Sequence, residues 1–450
     1  MTISSRQAAF NTLFRIEKER SYADILIDQE LKNGGLEGPD RGLYTELVYG
    51  TLRRQGTLDH IISQFSKTPP AKLERIVNLL LRLGLYQIFY LDRVPVSAAV
   101  NETVNLAKQF CPRASGFINA VLRSADRGRS SISYPEPDKD PAAYLSVKHS
   151  HPLWITEGWL EQLGFEEAEK LAIVMGETPV FTVRSNRLKA DAAAVLVRLQ
   201  AEGVSAHHCK FAPDGITITS AAPLSNLNCF TEGFVTVQDE ASQLAALLLS
   251  PEPGDAILDL CAAPGGKATY LAELSGDVGS LTACDRNPRK LAQIRDTAER
   301  LGIKNISLTL LDATKPLEKL DSDLFDRILV DAPCSGIGVI HRNPEGKWWK
   351  EPSDPMRLAI TQRAILANAA RKLKPGGVMV YSTCSTSLEE NEQVVDNFIK
   401  HHPDFMIEPV SNILPQAAPM QTESGYFRSW PHRHGMDGFF AARMIKKITR

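Results

Sequence analysis

Ile257-Leu-Asp-Leu-Cys-Ala-Ala-Pro-Gly-Gly-Lys267 decides the fold. A short apolar run ends in small residues and two glycines, and a helical pattern follows. A strand that passes through a glycine turn straight into a helix is how a doubly wound α/β unit opens. The same alternation continues outward. Leu281-Thr-Ala283, Ile306-Ser-Leu-Thr-Leu310, Ile328-Leu-Val330 and Val378-Met-Val-Tyr381 are apolar runs of strand length. Helical periodicity separates them, notably over 288–301 and 355–373. Pro288 in a first turn, and Pro375-Gly-Gly377 beyond a last one, are start and stop signals. Residues 237–450 are therefore expected to form a parallel sheet covered by helices on both faces.

The rest of the chain reads differently. Apolar residues recur at helical spacing through Phe10, Leu13 and Ile16, and again through Leu73, Ile76, Leu80 and Leu83. Breaks fall at Gly34-Gly35, Pro69-Pro70 and Val94-Pro95, so residues 1–130 are expected to be all-helical. The run Ser130-Ser-Ile-Ser-Tyr-Pro-Glu-Pro-Asp-Lys-Asp-Pro141 reads as part of a linker over 131–150. A small α+β region is expected over 151–236, with a helix at 154–175 and short strands at 180–183, 216–218 and 234–235. The whole is a multidomain chain: an all-α front, a small α+β middle and a C-terminal α/β Rossmann-like domain.

Composition narrows the class. The chain has 450 residues, 43% hydrophobic and 23% charged, which is the profile of a globular protein. No apolar run is long enough to span a membrane, and no signal-peptide pattern opens the sequence, so a cytoplasmic protein is expected. Seven cysteines, none in a Cys-x-x-Cys pair, argue against a disulfide framework and against a zinc site, so no metal is expected. Residues 1–150 hold 20 lysines and arginines against 16 acids. That excess permits a basic face without requiring one.

The turn is the first candidate site. It comprises Cys261, Ala262, Ala263, Pro264, Gly265, Gly266 and Lys267, whose small members let the backbone approach a ligand closely while glycine permits the tight turn. Asp285 closes the next strand and suits a ribose hydroxyl pair. Asp312, after the third strand, suits an adenine amino group. The turn is not the dinucleotide Gly-x-Gly-x-x-Gly form, and Lys267 completes no phosphate loop. A nucleoside without a phosphate tail, S-adenosylmethionine, is the expected cofactor.

Two cysteine loops follow, Asp331-Ala-Pro-Cys-Ser-Gly336 and Tyr381-Ser-Thr-Cys-Ser385. Both come after strands and lie in polar settings. Carbon 5 of cytosine is a poor nucleophile. A thiolate added to carbon 6 turns the ring into an enamine that can attack a methyl sulfonium. Asp331, Cys334 and Cys384 have the chemistry for this, but spacing alone does not say which sulfur attacks.

The ordered set of turn and two loops, with Gln238-Asp-Glu-Ala-Ser242 and Asp437-Gly-Phe-Phe440, resembles the RNA 5-methylcytosine methyltransferases of the NOL1/NOP2/Sun family. The resemblance reaches the front. Glu46-Leu-Val-Tyr-Gly-Thr-Leu-Arg53, Val94-Pro-Val-Ser-Ala-Ala-Val-Asn101 and Gly116-Phe-Ile-Asn-Ala-Val-Leu-Arg123 are similar to NusB-like helical RNA-binding domains. It implies that Cys384 attacks carbon 6, that Cys334 assists release, and that Asp331 contacts the base or cofactor. The turn, Asp285 and Asp312 then hold S-adenosylmethionine. The implied substrate is a cytosine of 16S ribosomal RNA, naked or in an assembly intermediate. Neither DNA nor a membrane is an expected partner, and the chain is expected to be a monomer.

Departures from the family pattern are small: Ala268 stands after Lys267, Arg184-Ser-Asn186 in the middle region, and Asn343-Pro-Glu-Gly-Lys347 in a late loop. Two other readings use the same residues. One is an RNA-binding protein with an inactive methyltransferase fold, and the other is a DNA cytosine methyltransferase using Cys334. Arg53, Arg54, Arg123, Arg127 and Arg129 are candidates for phosphate contacts, as are Arg184, Asn186 and Arg187 for RNA near the site. Trp348 and Trp349 are candidates either for base stacking or for core packing.

Overall fold

The computed structural model describes residues 3–33, 35–220, 224–318, 320 and 324–448. Two compact units emerge: residues 1–178 with 340–350, and residues 179–339 with 351–450. Among the described residues no helix is long and apolar enough to cross a membrane.

The first unit is helical. Its main helices are Ser5–Glu19, Ala23–Lys32, Pro39–Arg53, Gln55–Phe65, Arg75–Tyr90, Val96–Phe110, Ser115–Arg127, Pro141–His149, Leu153–Leu163 and Phe165–Val174. Phe10, Leu13 and Ile16 share one face of the first helix and enter a common core with Leu58, Ile61, Leu80 and Leu83. Arg82 is buried in this core because its guanidinium meets Asp59 at 2.6 and 2.7 Å and Glu17 at 2.6 Å.

Residues 131–150 are not simply a linker. Asp140 accepts from the Ala143 amide at 2.9 Å and Pro141 opens the helix Pro141–His149. The Pro/Asp run that reads as linker composition is the start chemistry of a helix. The helix expected over 154–175 is two helices, parted at Gly164, whose φ of 72° breaks the ladder. Both pack in the first compact unit, and the second unit begins at 179.

Residues 340–350 complete the helical unit. Glu345 accepts from the Ala23 amide at 2.9 Å, and the Lys347 ammonium donates to the Arg53 carbonyl at 3.1 Å. Trp349 meets Tyr22 edge-on at 5.7 Å. Trp348 lies so close to Gly56 that a Cβ there would stand 2.7 Å from its ring. Both tryptophans therefore pack within this unit, and Arg53 is turned inward with its guanidinium over Tyr49.

The second unit carries every strand among the described residues. A four-stranded antiparallel sheet, β1 (Phe181–Ser185), β2 (Ala206–His208), β3 (Gly215–Ile218) and β4 (Val235–Val237), runs in the order β2-β3-β1-β4. Val183 and Ile216 pack on Val195 and Leu199 of the helix Ala192–Ala201. The larger sheet comprises β5 (Ala256–Asp259), β6 (Ser280–Asp285), β7 (Ile306–Leu310), β8 (Phe325–Asp331), β9 (Leu373–Thr383), β10 (Phe405–Ile407), β11 (Phe427–Ser429) and β12 (Phe439–Lys446). Its order is β10-β12-β9-β8-β5-β6-β7, with β11 paired to β12.

β5 to β9 are mutually parallel, as expected. β12 enters antiparallel to β9, and β10 and β11 are antiparallel to β12, so the sheet is mixed. A strand buried on both faces shows the same apolar run in either direction, so its residues do not reveal its sense. Pro375-Gly-Gly377 lies inside β9, where the register to β8 shifts between Phe325↔Leu373 and Arg327↔Val378. The stop signal is a bulge within the strand.

Candidate active site

Strand order reverses at β5: β6 and β7 lie to one side, β8 and β9 to the other. Ligands bind at such a switch point, beyond the carboxyl ends of the strands. A cleft of about 290 Å³ opens there, and Cys261, Asp285, Asp312, Asp331, Cys334 and Cys384 are in its lining.

The turn after β5 supports one side. Gly265 has φ 107°, and a Cβ there would press on Ile294 at 3.1 Å. Only glycine suits both the conformation and the space. Cys261 and Ala263 face the cleft, whereas Ala262, Pro264, Gly265, Gly266 and Lys267 are not in its lining. Ala262 is buried in the core and Gly266 begins the helix Gly266–Leu274. Lys267 points instead to Asp331, 2.8 Å away. Burial pulls the Lys267 ammonium down, but Asp331, together with Cys384 and Asp259 beyond it, outweighs burial and holds the charge above the usual lysine range.

Asp285 accepts from the Asn287 amide at 2.8 Å. Asp312 accepts from the hydroxyl and amide of Thr314 at 2.7 and 3.0 Å, which holds its carboxyl below the usual range. Two acceptor carboxylates on neighbouring strand ends suit the hydroxyls and amino group of an adenosine. Cys261 and Ala263 present little bulk beside them, so the residues present fit S-adenosylmethionine.

The cysteines approach one another from the next two strands. β8 ends at Asp331 and β9 at Thr383, paired in register. Cys334 Sγ and Cys384 Sγ lie 3.3 Å apart. The sulfur contact with Cys384, followed by burial, pushes the Cys334 thiol well above its usual range. Either sulfur can donate to the other in this contact. Asp331 is fixed by Lys267 on one oxygen and by the Ser382 hydroxyl at 2.8 Å on the other. Cys284 is fully buried, and burial pushes its thiol up to about 12.

Several site residues are not marked by any motif reading of the sequence. Glu390, fully buried, accepts from both Ser335 and Ser385. Gly338 donates to the Cys384 carbonyl at 3.0 Å and accepts from the Gly438 amide at 3.0 Å. Asn391 donates to the Ser385 carbonyl at 2.9 Å. Two serines directly following two cysteines were a signal available in the sequence.

The middle region departs from expectation. Arg184 is fully buried, ion-paired to Glu273 at 2.6 Å, donating to Gln238 and to the Gly266 carbonyl at 2.7 Å. Asn186 donates to the carbonyls of Gly233 and Leu301, each at 2.9 Å. Neither is available to RNA. They join β1 to the cofactor-turn helix and to the helix Pro288–Leu301 instead.

A parallel sheet that reverses at β5, an antiparallel β12 and a cleft lined by Asp285 and Asp312 beyond the strand ends are those of a Rossmann-like methyltransferase, with S-adenosylmethionine as its methyl donor. The model described as 16S rRNA methyltransferase RsmB/F matches residues 246–445, that of the NusB family 3–127, and that of an RsmF/B-like ferredoxin-like domain 151–225. A probable ribosomal RNA small subunit methyltransferase B of Bacillus subtilis is 39% identical over 99% of each chain. The chain belongs to the ribosomal RNA small subunit methyltransferase B family. Among solved structures, PH0851 is 28% identical with TM-score 0.84, covering 99% of this chain and all of that one. NSun6 from Pyrococcus horikoshii, solved with SFG, is 25% identical with TM-score 0.59, covering 66% of this chain and 99% of that one.

Proposed function

We propose that the protein methylates carbon 5 of a cytosine in 16S ribosomal RNA through a covalent cysteine–cytosine intermediate. The observation that carries this reading is the pair of sulfurs 3.3 Å apart at the strand ends flanking the cofactor cleft. Cofactor chemistry alone has no use for two adjacent thiols. Addition to and release from a pyrimidine ring uses both.

Bound S-adenosylmethionine supplies an electrophilic methyl group. Cys384 adds to carbon 6 as the thiolate, and the electron pair of the C5–C6 double bond becomes available at carbon 5. Asp331, held by Lys267 and Ser382, accepts from the exocyclic amino group of the base in this reading and so orients the ring. Once carbon 5 carries the methyl group, a base removes its proton, the double bond re-forms and the Cys384 sulfur leaves. Cys334, whose sulfur lies 3.3 Å from that of Cys384, assists this release. The target base must leave its stack to reach these groups. The helical front, residues 1–130, and the ferredoxin-like region serve as RNA-binding parts in this reading. Arg123 and Arg127 are exposed and suited to phosphate.

The test is trapping. Cys334→Ala and Cys384→Ala proteins are incubated with 16S RNA and S-adenosylmethionine and run on denaturing gels. Cys334→Ala is expected to accumulate an RNA adduct and Cys384→Ala to form none. The reverse pattern moves the nucleophile to Cys334. No adduct from either, with no methyl transfer by the unmutated protein, overturns the reading.

A further inference from the structure

Behind the two sulfurs lies a second polar cluster that the chemistry above does not use. Ser335 and Ser385 each directly follow a site cysteine, and their hydroxyls are 3.0 Å apart. Between them is the Glu390 carboxylate, fully buried. One of its oxygens accepts from the Ser335 amide at 2.7 Å and from Gln362 at 3.1 Å. The other accepts from the Ser335 hydroxyl and, at 2.6 Å, from the Ser385 hydroxyl. Gln362 also donates to the Pro333 carbonyl at 3.0 Å, one residue before Cys334. The Glu390 backbone is itself held, its carbonyl accepting from the Tyr381 hydroxyl at 2.5 Å. The carboxylate thus ties the loop after β8, the loop after β9 and the helix Asp354–Lys372 at one point. Burying it brings no packing gain that an apolar residue would not match. Each of its ties ends on a residue adjoining a site cysteine or on Gln362, which holds Pro333.

We propose that Glu390 is a positioning residue for the methyl transfer: through Ser335 and Ser385 it sets the separation and facing of the Cys334 and Cys384 sulfurs. This rests on the cysteine pair acting as proposed above. Neither Glu390 nor either serine faces the reacting atoms, so the effect falls on turnover rather than on binding. A misplacement of about 1 Å at a reacting group costs on the order of 10²-fold in rate.

The experiment uses the full chain with Glu390→Ala and Glu390→Gln. The first readout is oxidative coupling of the two cysteines by diamide, followed by peptide mass. The two thiol hydrogens pass to the azo bond of diamide, a sulfur–sulfur bond forms between Cys334 and Cys384, and diamide leaves as its hydrazine. This rate measures the facing of the sulfurs with no RNA present. The second readout is kcat and KM for RNA, with S-adenosylmethionine affinity determined by calorimetry. Glu390→Ala is expected to slow coupling and to lower kcat by on the order of 10²-fold, with RNA KM and cofactor affinity little changed. Glu390→Gln keeps the volume and one acceptor but sets an amide donor against two hydroxyls, so it should fall between. It carries the test if the alanine protein does not fold. Coupling at the unmutated rate in a folded variant, or a loss confined to KM or cofactor binding, overturns the proposal. Slowed coupling with no methyl transfer by the unmutated protein upholds the clamp and sinks the cytosine reading alone.

Discussion

Arg184→Met should unfasten the small sheet from the cofactor-turn helix, and the size of the loss follows from what is left behind. The Arg184 and Glu273 side chains are both 0% exposed and 2.6 Å apart, with the guanidinium 4.4 Å from the Tyr270 ring centre. Removing one partner of a buried pair strands the other charge, at about 3–5 kcal/mol. The Gly266 carbonyl loses one donor but keeps the Thr269 hydroxyl at 3.2 Å, so it adds little. A loss of about 4 kcal/mol is a large share of a stability that is typically about 5–15 kcal/mol.

The pH dependence follows from Glu273. Burial already raises its pKa above the usual value, and Arg184 pulls it back. Without Arg184 the folded-state pKa rises further. A group whose pKa is raised by folding contributes stability that is present at low pH and lost as pH climbs through the folded value. The deficit of Arg184→Met should therefore be smaller at low pH, where only the packing defect remains, and grow as pH rises. Adding Glu273→Gln should recover about 2 kcal/mol, since the stranded charge is gone while the packing defect stays. Hydrogen exchange resolved to residues 181–185 and 266–274 measures this locally, at low and at high pH. A deficit under about 1 kcal/mol, one independent of pH, or a double variant no better than the single would refute the reasoning.

Two other perturbations have definite signs. Asp259 is fully buried, and burial followed by the neighbouring Asp331 raises its carboxyl from 3.8 to about 8. Stability of the ligand-free protein should therefore fall as pH rises between those values, by up to about 1.4 kcal/mol per pH unit; Asp259→Asn should flatten that slope in denaturant titrations, and an unchanged slope would contradict the assignment. Gly338→Ala places a Cβ 2.0 Å from the Gly438 carbonyl oxygen and 2.9 Å from that of Cys384. The backbone must shift, so thermal melts should show a loss of about 3 kcal/mol or more together with reduced turnover, and a stable, fully active variant would show that this approach does not matter.

Elements whose residues carry local instructions were legible without coordinates. The turn at 261–267, the strand ends at Asp285 and Asp331, and the helix over 288–301 all have their glycine, acid or proline written in place. Unreadable features depended on partners far away in sequence. The inward turn of Arg184 is set by Glu273, and nothing near residue 184 announces it. β12 runs antiparallel because of where the chain arrives, not because of its own residues. Asp140-Pro141 has linker composition and helix-start chemistry at once, and only a covered apolar side, with Leu145 buried, decides between them. The site shows the same division. Its cysteines and acids lie in recognisable strings, whereas Glu390 lies in the turn before the helix Glu392–His401 and is identified only by what it touches.

The helical unit is not contiguous in sequence, and that bears on how it is made. Residues 1–178 leave the ribosome first, yet their fold includes 340–350. Until Glu345 has been synthesised, the Ala23 amide lacks its carboxylate acceptor. Until Trp348 and Trp349 arrive, the surfaces at Gly56 and Tyr22 lie open. At about 5–20 residues per second of synthesis, the intervening stretch takes on the order of ten seconds. The front of the nascent chain spends that interval as an unfinished globule with an apolar seat waiting. Its final consolidation is then tied to emergence of the loop that begins a few residues after Cys334, so the order of synthesis delays completion of the helical unit until the first site cysteine has already been made.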